Sequence, residues 1–440
     1  MSRTAAVNNT SNGKKRARDD TDAESVIPTP QEVVFTPGSE GSRTSASSSP
    51  RKRARVNAEV QTSPPRTAAT AIALPPPTVA DQLPIQACER RKDFWFADGD
   101  VVIRAENQLF KLNSEKMGIA CNFFLSMFND GHIGVGNGRP DGEDDEDHYQ
   151  GMPLIHGTHT SLHEWELLIY VIYKMKAKLL MMSWDDIRTM LELSRKYESL
   201  PMREIAIRNM GFLYPTALPD FMMSTYLRKK YITGALPQSL HFQAYNLAVE
   251  FDLYQFLPGI SYRISQYDFQ QIIEGVRDTP DAEPHRLPAG AHTSILEGRE
   301  SAREMRSGLI FKFMEEAWDE DEPSGPSGDK CLHQHPRVGP TCHQTISRLR
   351  CDWQKDGHVL RNTRHPLKML GMSSRLAIRD MLCPPCRFAM KEEMSKGQAK
   401  LWVGLPTLFD LGTWFEIERK VKAKRLELAK MWSPDEEMLS

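Results

Sequence analysis

Long apolar runs are missing from this 440-residue sequence. Its most apolar stretch, residues 167–182, is interrupted by Lys174, Lys176 and Lys178. A transmembrane helix needs about 20 mostly apolar residues, so this stretch is too charged to span a bilayer. No apolar segment follows the basic residues near the N-terminus, which argues against a secretory signal peptide. We therefore expect neither a membrane protein nor a classically secreted one.

Cysteine and net charge are also scarce. The seven cysteines are odd in number and too few for a disulfide framework in so long a chain, which indicates a reducing compartment. Lys and Arg (56) nearly balance Asp and Glu (58), so no overall electrostatic field favours binding to nucleic acids or membrane surfaces. The mean hydropathy of −0.49 is lower than a fully packed globule would give, and part of the chain is expected to be unpacked.

Signatures of common catalytic sites are missing as well. The P-loop, the Gly-x-Ser-x-Gly elbow and the two-histidine zinc-protease motif do not occur. A Gly-x-Gly at residues 134–136 lies in an acidic loop with no helix to present amides to a phosphate. The six acids between Asp141 and Asp147 lack EF-hand spacing. These absences favour a protein without enzymatic activity.

Residues 1–88 are predicted to be a disordered, basic and Ser/Pro-rich tail. Two basic clusters stand out, Lys14-Lys15-Arg16-Ala17-Arg18 and Arg51-Lys52-Arg53-Ala54-Arg55. Short Lys/Arg runs in an extended chain suit the acidic grooves of nuclear import receptors. We therefore expect the protein to be located in the nucleus, with the cytoplasm as the alternative. Ser49-Pro50 and Ser63-Pro64 resemble sites of proline-directed kinases, and a phosphate on Ser49 would oppose the second cluster.

From residue 93 onward the pattern becomes that of a folded domain. Two β-branched or apolar runs separated by Glu106-Asn107-Gln108 predict a hairpin, and an apolar stripe that includes Ile119 and Phe123 predicts a helix. Ser183 and Asp186 have capping-box spacing. The predicted elements are a hairpin at 101–105 and 109–112, a helix over 114–128, a strand at 153–156, and helices over 165–173, 183–197 and 201–213.

This order of elements and several stretches of sequence resemble a BTB/POZ domain. The similarity is greatest to the large group of fungal, particularly basidiomycete, BTB proteins. The stretches that carry the resemblance are residues 98–103, 109–112, 123–128, 167–173 and 191–197. The resemblance implies an α+β BTB/POZ-like domain, a β-hairpin plus helices, over residues 89–215, followed by mainly helical regions.

The resemblance also implies a function in protein–protein interaction. We expect a nuclear adaptor that recruits a transcriptional co-regulator, or alternatively a substrate receptor for a cullin-type ubiquitin ligase. The hydrophobic-x-Glu motif of many cullin-binding domains is replaced by Asn129-Asp130-Gly131, which weighs against the ligase. Long BTB domains of animal transcription factors have a dimerising helix and strand before the hairpin, whereas only a polar stretch, residues 82–92, precedes it here. Dimerisation through an exchanged strand is therefore not expected.

The rest of the chain divides into three predicted parts. A helical extension covers residues 216–318, an acidic linker covers 319–330, and a Cys/His-containing region covers 331–440. The last predicted helix, residues 414–432, is basic, but its apolar residues fit packing onto the protein. This pattern argues against direct binding of nucleic acid.

Five of the seven cysteines lie in the last part, and they suggest a metal site. Cys383-Pro384-Pro385-Cys386 has the spacing that lets two thiolates bind one tetrahedral metal. A structural zinc is the preferred interpretation. Its predicted ligands are Cys331, Cys342, Cys383 and Cys386, with His333, His343 and Cys351 as alternatives.

Other interpretations of these cysteines stay open. Buried thiols often act as small apolar side chains. A redox Cys-x-x-Cys would need a helix after it and a βαβ context, neither of which is evident from the sequence. A metal-dependent hydrolase would need an open coordination position and a base, for which Asp352 and His358 are candidates by their position alone.

Overall fold

The computed structural model describes residues 84–130, 148–157, 159–175, 179, 181–310, 312, 341–356, 365–367 and 381–432. This part of the chain is mostly helical and contains a small mixed five-stranded sheet. None of its helices is long and apolar enough to cross a bilayer. Several predictions fall outside it: the tail up to residue 83, the acidic run 141–147, the linker 319–330, and Cys331, His333 and His358.

The sheet is built around the predicted hairpin. Strands β2 and β3 pair antiparallel with Val101 opposite Leu112, and the turn between them places Glu106 at a φ of 52°. Strand β5 lies on the other side of β2 and runs parallel to it, so the order across the sheet is β1-β3-β2-β5-β4. The strands are β1 (Glu89–Trp95), β2 (Val101–Ala105), β3 (Gln108–Leu112), β4 (His148–Tyr149) and β5 (Met152–His156).

The prediction that no strand precedes the hairpin was wrong. Residues Glu89–Trp95 form β1, an edge strand that pairs in parallel with β3. Its polar side chains are compatible with an edge position, where one side of the strand faces solvent. Arg90 fixes the strand, because its Nε donates to the Tyr149 hydroxyl at 2.8 Å and its guanidinium lies 5.0 Å from the Trp95 ring centre.

The helices of this region follow the prediction with one correction. The single helix predicted over 114–128 is two helices, because Cys121 has an extended backbone. Ile119 and Phe123 are consequently 72% and 44% exposed and are not part of a continuous buried stripe. The predicted cap of the helix that begins at Trp184 is confirmed, since Ser183 and Asp186 form a capping box. The helices are α1 (Ser114–Ala120), α2 (Asn122–Asn129), α3 (Leu162–Ile172), α4 (Trp184–Lys196) and α5 (Leu200–Leu213).

The core lies where α3 meets the sheet and the α4–α5 pair. Trp165 of α3 is 1% exposed, and its ring lies 6.1 Å from both Phe124 and Tyr197. Tyr197 stacks on Phe124 at 5.1 Å and shares a buried 2.5 Å hydrogen bond with Thr160. Burial of these aromatic rings joins α2, α3 and the end of α4 into one packed layer.

The remaining described residues are mainly helical, as predicted, and pack onto this core. Residues Trp414–Trp432 form the expected last helix, and its Arg425 pairs with Glu204 of α5. The helices are α6 (Leu218–Met222), α7 (Ser224–Tyr231), α8 (Leu240–Glu250), α9 (Leu257–Ile264), α10 (Phe269–Glu274), α11 (Ala291–Ile310), α12 (Cys342–Asp356), α13 (Pro384–Leu408) and α14 (Trp414–Trp432). All described residues belong to one compact unit.

Candidate metal centre

The start of α12 positions the first of three neighbouring thiols. Thr341 and Gln344 cap this helix, since the Gln344 N–H donates to Thr341 Oγ1 at 3.2 Å and the Thr341 N–H donates to Gln344 Oε1 at 3.1 Å. Cys342 is therefore the first helical residue, and it is fully buried.

The start of α13 positions the other two thiols. Cys383 is the N-cap, and Pro384 and Pro385 fill the first two helical positions. Proline is favoured there because these positions have no intrahelical partner for an N–H group. Cys386 is the third helical residue, so both sulfurs of the Cys-x-x-Cys lie at the start of the same helix. The two prolines begin a helix of 25 residues.

The structure brings the three sulfurs together. The Sγ atoms of Cys342, Cys383 and Cys386 all lie within 4.8 Å of one another. The backbone N–H of Cys383 donates to the Sγ of Cys342 at 3.3 Å. Three thiolates around a tetrahedral zinc would lie about 3.8 Å apart, given Zn–S bonds of about 2.3 Å. These cysteines could therefore hold one soft divalent metal ion.

The three sulfurs lie near positive helix ends and are shielded from solvent. The N-terminal ends of two helices carry partial positive charge, which stabilises thiolates. The three cysteines are only 0%, 1% and 2% exposed. Leu382, Ile346 and Met390, which neighbour them in sequence, are also buried.

A further buried cysteine shows the contrasting case. Cys121 is 1% exposed and lies apart from the three sulfurs, between α1 and α2. Burial raises the pKa of its thiol to about 12, although a hydrogen bond with Ser199 acts in the opposite direction. Cys121 is therefore a neutral apolar side chain at physiological pH.

Three of the predicted metal ligands lie together in the structure. Cys342, Cys383 and Cys386 form the cluster, whereas Cys331 and His333 lie outside the described residues. Neither His343 nor Cys351 belongs to the cluster, and Cys351 is exposed. Nine residues of helix turn a side chain by about 180°, which places Cys351 on the side of α12 opposite Cys342.

The structure also bears on the two chemical alternatives. A long helix does follow the Cys-x-x-Cys, contrary to the expectation from the sequence. A dithiol that exchanges with other proteins is normally accessible, whereas Cys383 and Cys386 are both buried. Of the candidate bases for a hydrolase, His358 is outside the described residues and Asp352 lies in α12.

Comparison with known proteins gives no match: no family model, no curated protein and no solved structure is significantly similar to this chain.

Proposed function

We propose that this protein is a non-enzymatic adaptor that binds other proteins through a BTB/POZ-like domain over residues 89–215. The observation that supports the proposal most is the order of elements: a hairpin, helices, a third strand parallel to the first of the hairpin, then a buried helix and a capped helix pair. This is the order that the resemblance in sequence implies. A transcriptional or chromatin co-regulator is the expected partner.

Cross-linking of the tagged full chain in cells, followed by mass spectrometry, tests this proposal. We expect partners to be cross-linked at lysines of the BTB/POZ-like region, such as Lys92, Lys116 and Lys174. Cross-links confined to lysines of α7 or α14 would contradict it. A recovered cullin would instead favour the ubiquitin-ligase alternative.

The burial of the three thiols supports a structural and not a catalytic metal. A catalytic zinc keeps one coordination position open to water or substrate, whereas structural sites are closed by four protein ligands. We propose that Cys342, Cys383 and Cys386 bind a structural zinc, with the fourth ligand from Cys331 or His333. Such a zinc would hold the start of α12 against the start of α13.

Metal analysis of the purified full chain with matched cysteine variants tests the zinc. We expect about one zinc per chain in the wild type and in Cys351→Ser, whose thiol is exposed. Cys383→Ser should lose the metal and unfold at a lower temperature. Equal metal content in both variants would show that the cluster is not the zinc site.

Nuclear import through the two basic clusters is also part of the proposal. A reporter fused to residues 1–88 should enter nuclei, because both clusters lie in this segment. Replacing Arg51, Lys52, Arg53 and Arg55 by Ala should move the fusion to the cytoplasm. An unchanged distribution would overturn this part of the proposal.

A further inference from the structure

A cavity of about 560 Å³ lies between α7 and the start of α8. Arg228 and Lys229 line it from α7, and His241, the second residue of α8, lines it from the other helix. Tyr267 and several residues of the loop that joins the two helices complete the described lining. The cavity therefore brings together two cations and an imidazole.

The positive charge at this cavity has no counter-charge in the described part of the chain. The described lining residues include no Asp or Glu. Arg228 and Lys229 are exposed and take part in none of the ion pairs among the described residues. Asp278 caps the start of α8, but its carboxylate accepts both hydrogen bonds of Ser239 and does not line the cavity. The two cations are therefore available to a ligand.

A third cation adds to the positive potential from within the protein. Arg263 is half-buried, and its Nη2 donates to Ser224 Oγ at 2.6 Å. Its guanidinium lies 4.6 Å from the ring centre of Phe221. Neither neighbour carries a negative charge. A partly buried cation without a counter-ion is costly, so an anion bound nearby would offset this cost.

The His241 imidazole offers a neutral donor to the same cavity. Its Nδ1 lies 2.6 Å from the hydroxyl of Tyr214, which is 1% exposed and for which the described residues provide no other acceptor. Tyr214 therefore donates to Nδ1, because a buried hydroxyl that donates nothing loses a hydrogen bond. The neutral ring then carries its proton on Nε2. This N–H has no partner among the described residues and is not enclosed by them.

The arginines lie within electrostatic range of this imidazole. Burial lowers the pKa of His241 to about 3, and Arg263 and Arg228 both contribute to the shift. The ring consequently stays neutral at physiological pH and donates through Nε2–H without adding charge. The cavity thus combines a neutral donor with the charges of Arg228 and Lys229, and Arg263 strengthens the potential.

We propose that this cavity binds a phosphate monoester. A phosphate group carries about −1.5 to −2 charge and three strong acceptor oxygens. Guanidinium and ammonium groups bind such oxygens through charge-assisted hydrogen bonds, and the Nε2–H of His241 supplies a further donor. The apolar lining residues Leu236 and Pro237 can contact the organic part of the ester. The ligand is either a small free ester or a phosphorylated side chain. The site shares no residue with the proposed metal centre and does not depend on the adaptor function.

Titration of the full chain with two matched probes at constant ionic strength tests the proposal. Nα-acetyl-O-phosphoserine amide carries the phosphate, and Nα-acetylserine amide lacks it. The chain has 13 histidines, and the ¹⁵N-labelled imidazole signals of His241 can be assigned by their loss in His241→Asn. We expect the phosphorylated amide to shift these signals saturably and the other amide to leave them in place. Equal effects of the two amides would overturn the proposal.

Two adjacent lysines of α7 form a matched pair of variants that locates the site. Lys229→Gln should weaken binding of the phosphorylated probe several-fold. Lys230→Gln should leave it nearly unchanged, because Lys230 is also exposed but lies 5.0 Å from the ring centre of Tyr231 and does not line the cavity. An unchanged unfolding temperature shows that each variant is folded. An equal loss in both variants would assign the effect to the general charge of α7 and contradict the site.

A third probe distinguishes the two sources of the ligand. Glycerol 3-phosphate presents the same phosphate group on a small free molecule. Tighter binding of the phosphoserine amide supports a phosphorylated protein as the ligand, and tighter binding of glycerol 3-phosphate supports a free ester. Failure of both phosphate probes to bind saturably overturns the site itself.

Discussion

At the scale of single residues, His241 links the stability of the helices after α5 to pH. Tyr214 and His241 share a hydrogen bond of 2.6 Å, and the ring of Tyr267 lies 6.0 Å from that of His241. Burial, together with Arg263 and Arg228, lowers the pKa of His241 to about 3. The imidazole is therefore neutral at physiological pH.

This shift predicts a loss of stability in acid. Between about pH 6.5 and about pH 3 the unfolded histidine binds a proton that the folded one does not, so the free energy of unfolding falls as the pH drops. The slope from one such group approaches about 1.4 kcal/mol per pH unit. Urea unfolding at about pH 7 and about pH 5 should show a smaller loss for His241→Asn than for the wild type. The same loss in both proteins would contradict the assignment.

The three sulfurs show what local sequence can and cannot predict for a residue. The Cys-x-x-Cys spacing predicts that Cys383 and Cys386 meet, because the pair spans a single turn. The choice of Cys342 over Cys351 depends on the face of α12 that turns inward. Tertiary packing decides which face that is. Cys342 precedes Cys383 by 41 residues, so no short window of sequence contains both.

At the scale of elements, close approach of two helices depends on a glycine. A Cβ atom at Gly298 of α11 would lie 2.3 Å from the ring of Phe409 and 2.6 Å from the Leu408 carbonyl oxygen. Gly308 of the same helix has nothing within 4 Å of the equivalent point. The two positions form a matched pair for testing how tightly α11 packs against the end of α13.

Alanine should have opposite effects at these two glycines. Gly298→Ala should lower the free energy of unfolding by about 1–3 kcal/mol, because the contact cannot accommodate a methyl group. Gly308→Ala should raise it by up to about 1 kcal/mol through helix propensity. Thermal or urea unfolding of both variants measures the difference. A stabilised Gly298→Ala would show that this contact is looser than the structure has it.

The capping box of α4 gives a second prediction for an element. The Ser183 N–H donates to Asp186 Oδ2 at 3.0 Å, and the Asp186 N–H donates to Ser183 Oγ at 3.0 Å. Ser183→Ala should therefore cost about 1 kcal/mol of stability. Ser126→Ala, the same change at an exposed position inside α2, should cost nothing, because alanine is the better helix former. Equal effects in both variants would exclude a capping role for Ser183.

The elements that the sequence predicted are those with strong local signals. The hairpin, the helix caps and the apolar period of α3 to α5 are visible in short windows of sequence. The structure has these elements at or near the predicted positions. Strand β1 was missed because Glu89, Arg90, Arg91 and Lys92 lack apolar alternation, and its pairing partner is distant in sequence. The break at Cys121 was missed because the apolar spacing continues across it.

At the scale of the whole molecule, α13 connects the candidate metal centre to the residues that follow α5. From Cys386 to Trp402 this helix rises about 24 Å. The indole of Trp402 then contacts the Thr216 carbonyl, and α14 returns to α5 through Arg425 and Glu204. A change at the sulfurs should therefore alter the stability of the whole described unit, and tests on the full chain are the appropriate ones.

X-ray absorption at the zinc edge of the purified full chain shows whether Cys342, Cys383 and Cys386 hold a structural zinc. We expect three or four sulfur ligands at about 2.3 Å. This sulfur signal should disappear in Cys342→Ser and persist in Cys351→Ser. Zinc with only nitrogen and oxygen ligands at about 2.0–2.1 Å, or a metal-free chain whose unfolding is unaffected by chelator, would show that the three cysteines do not bind zinc.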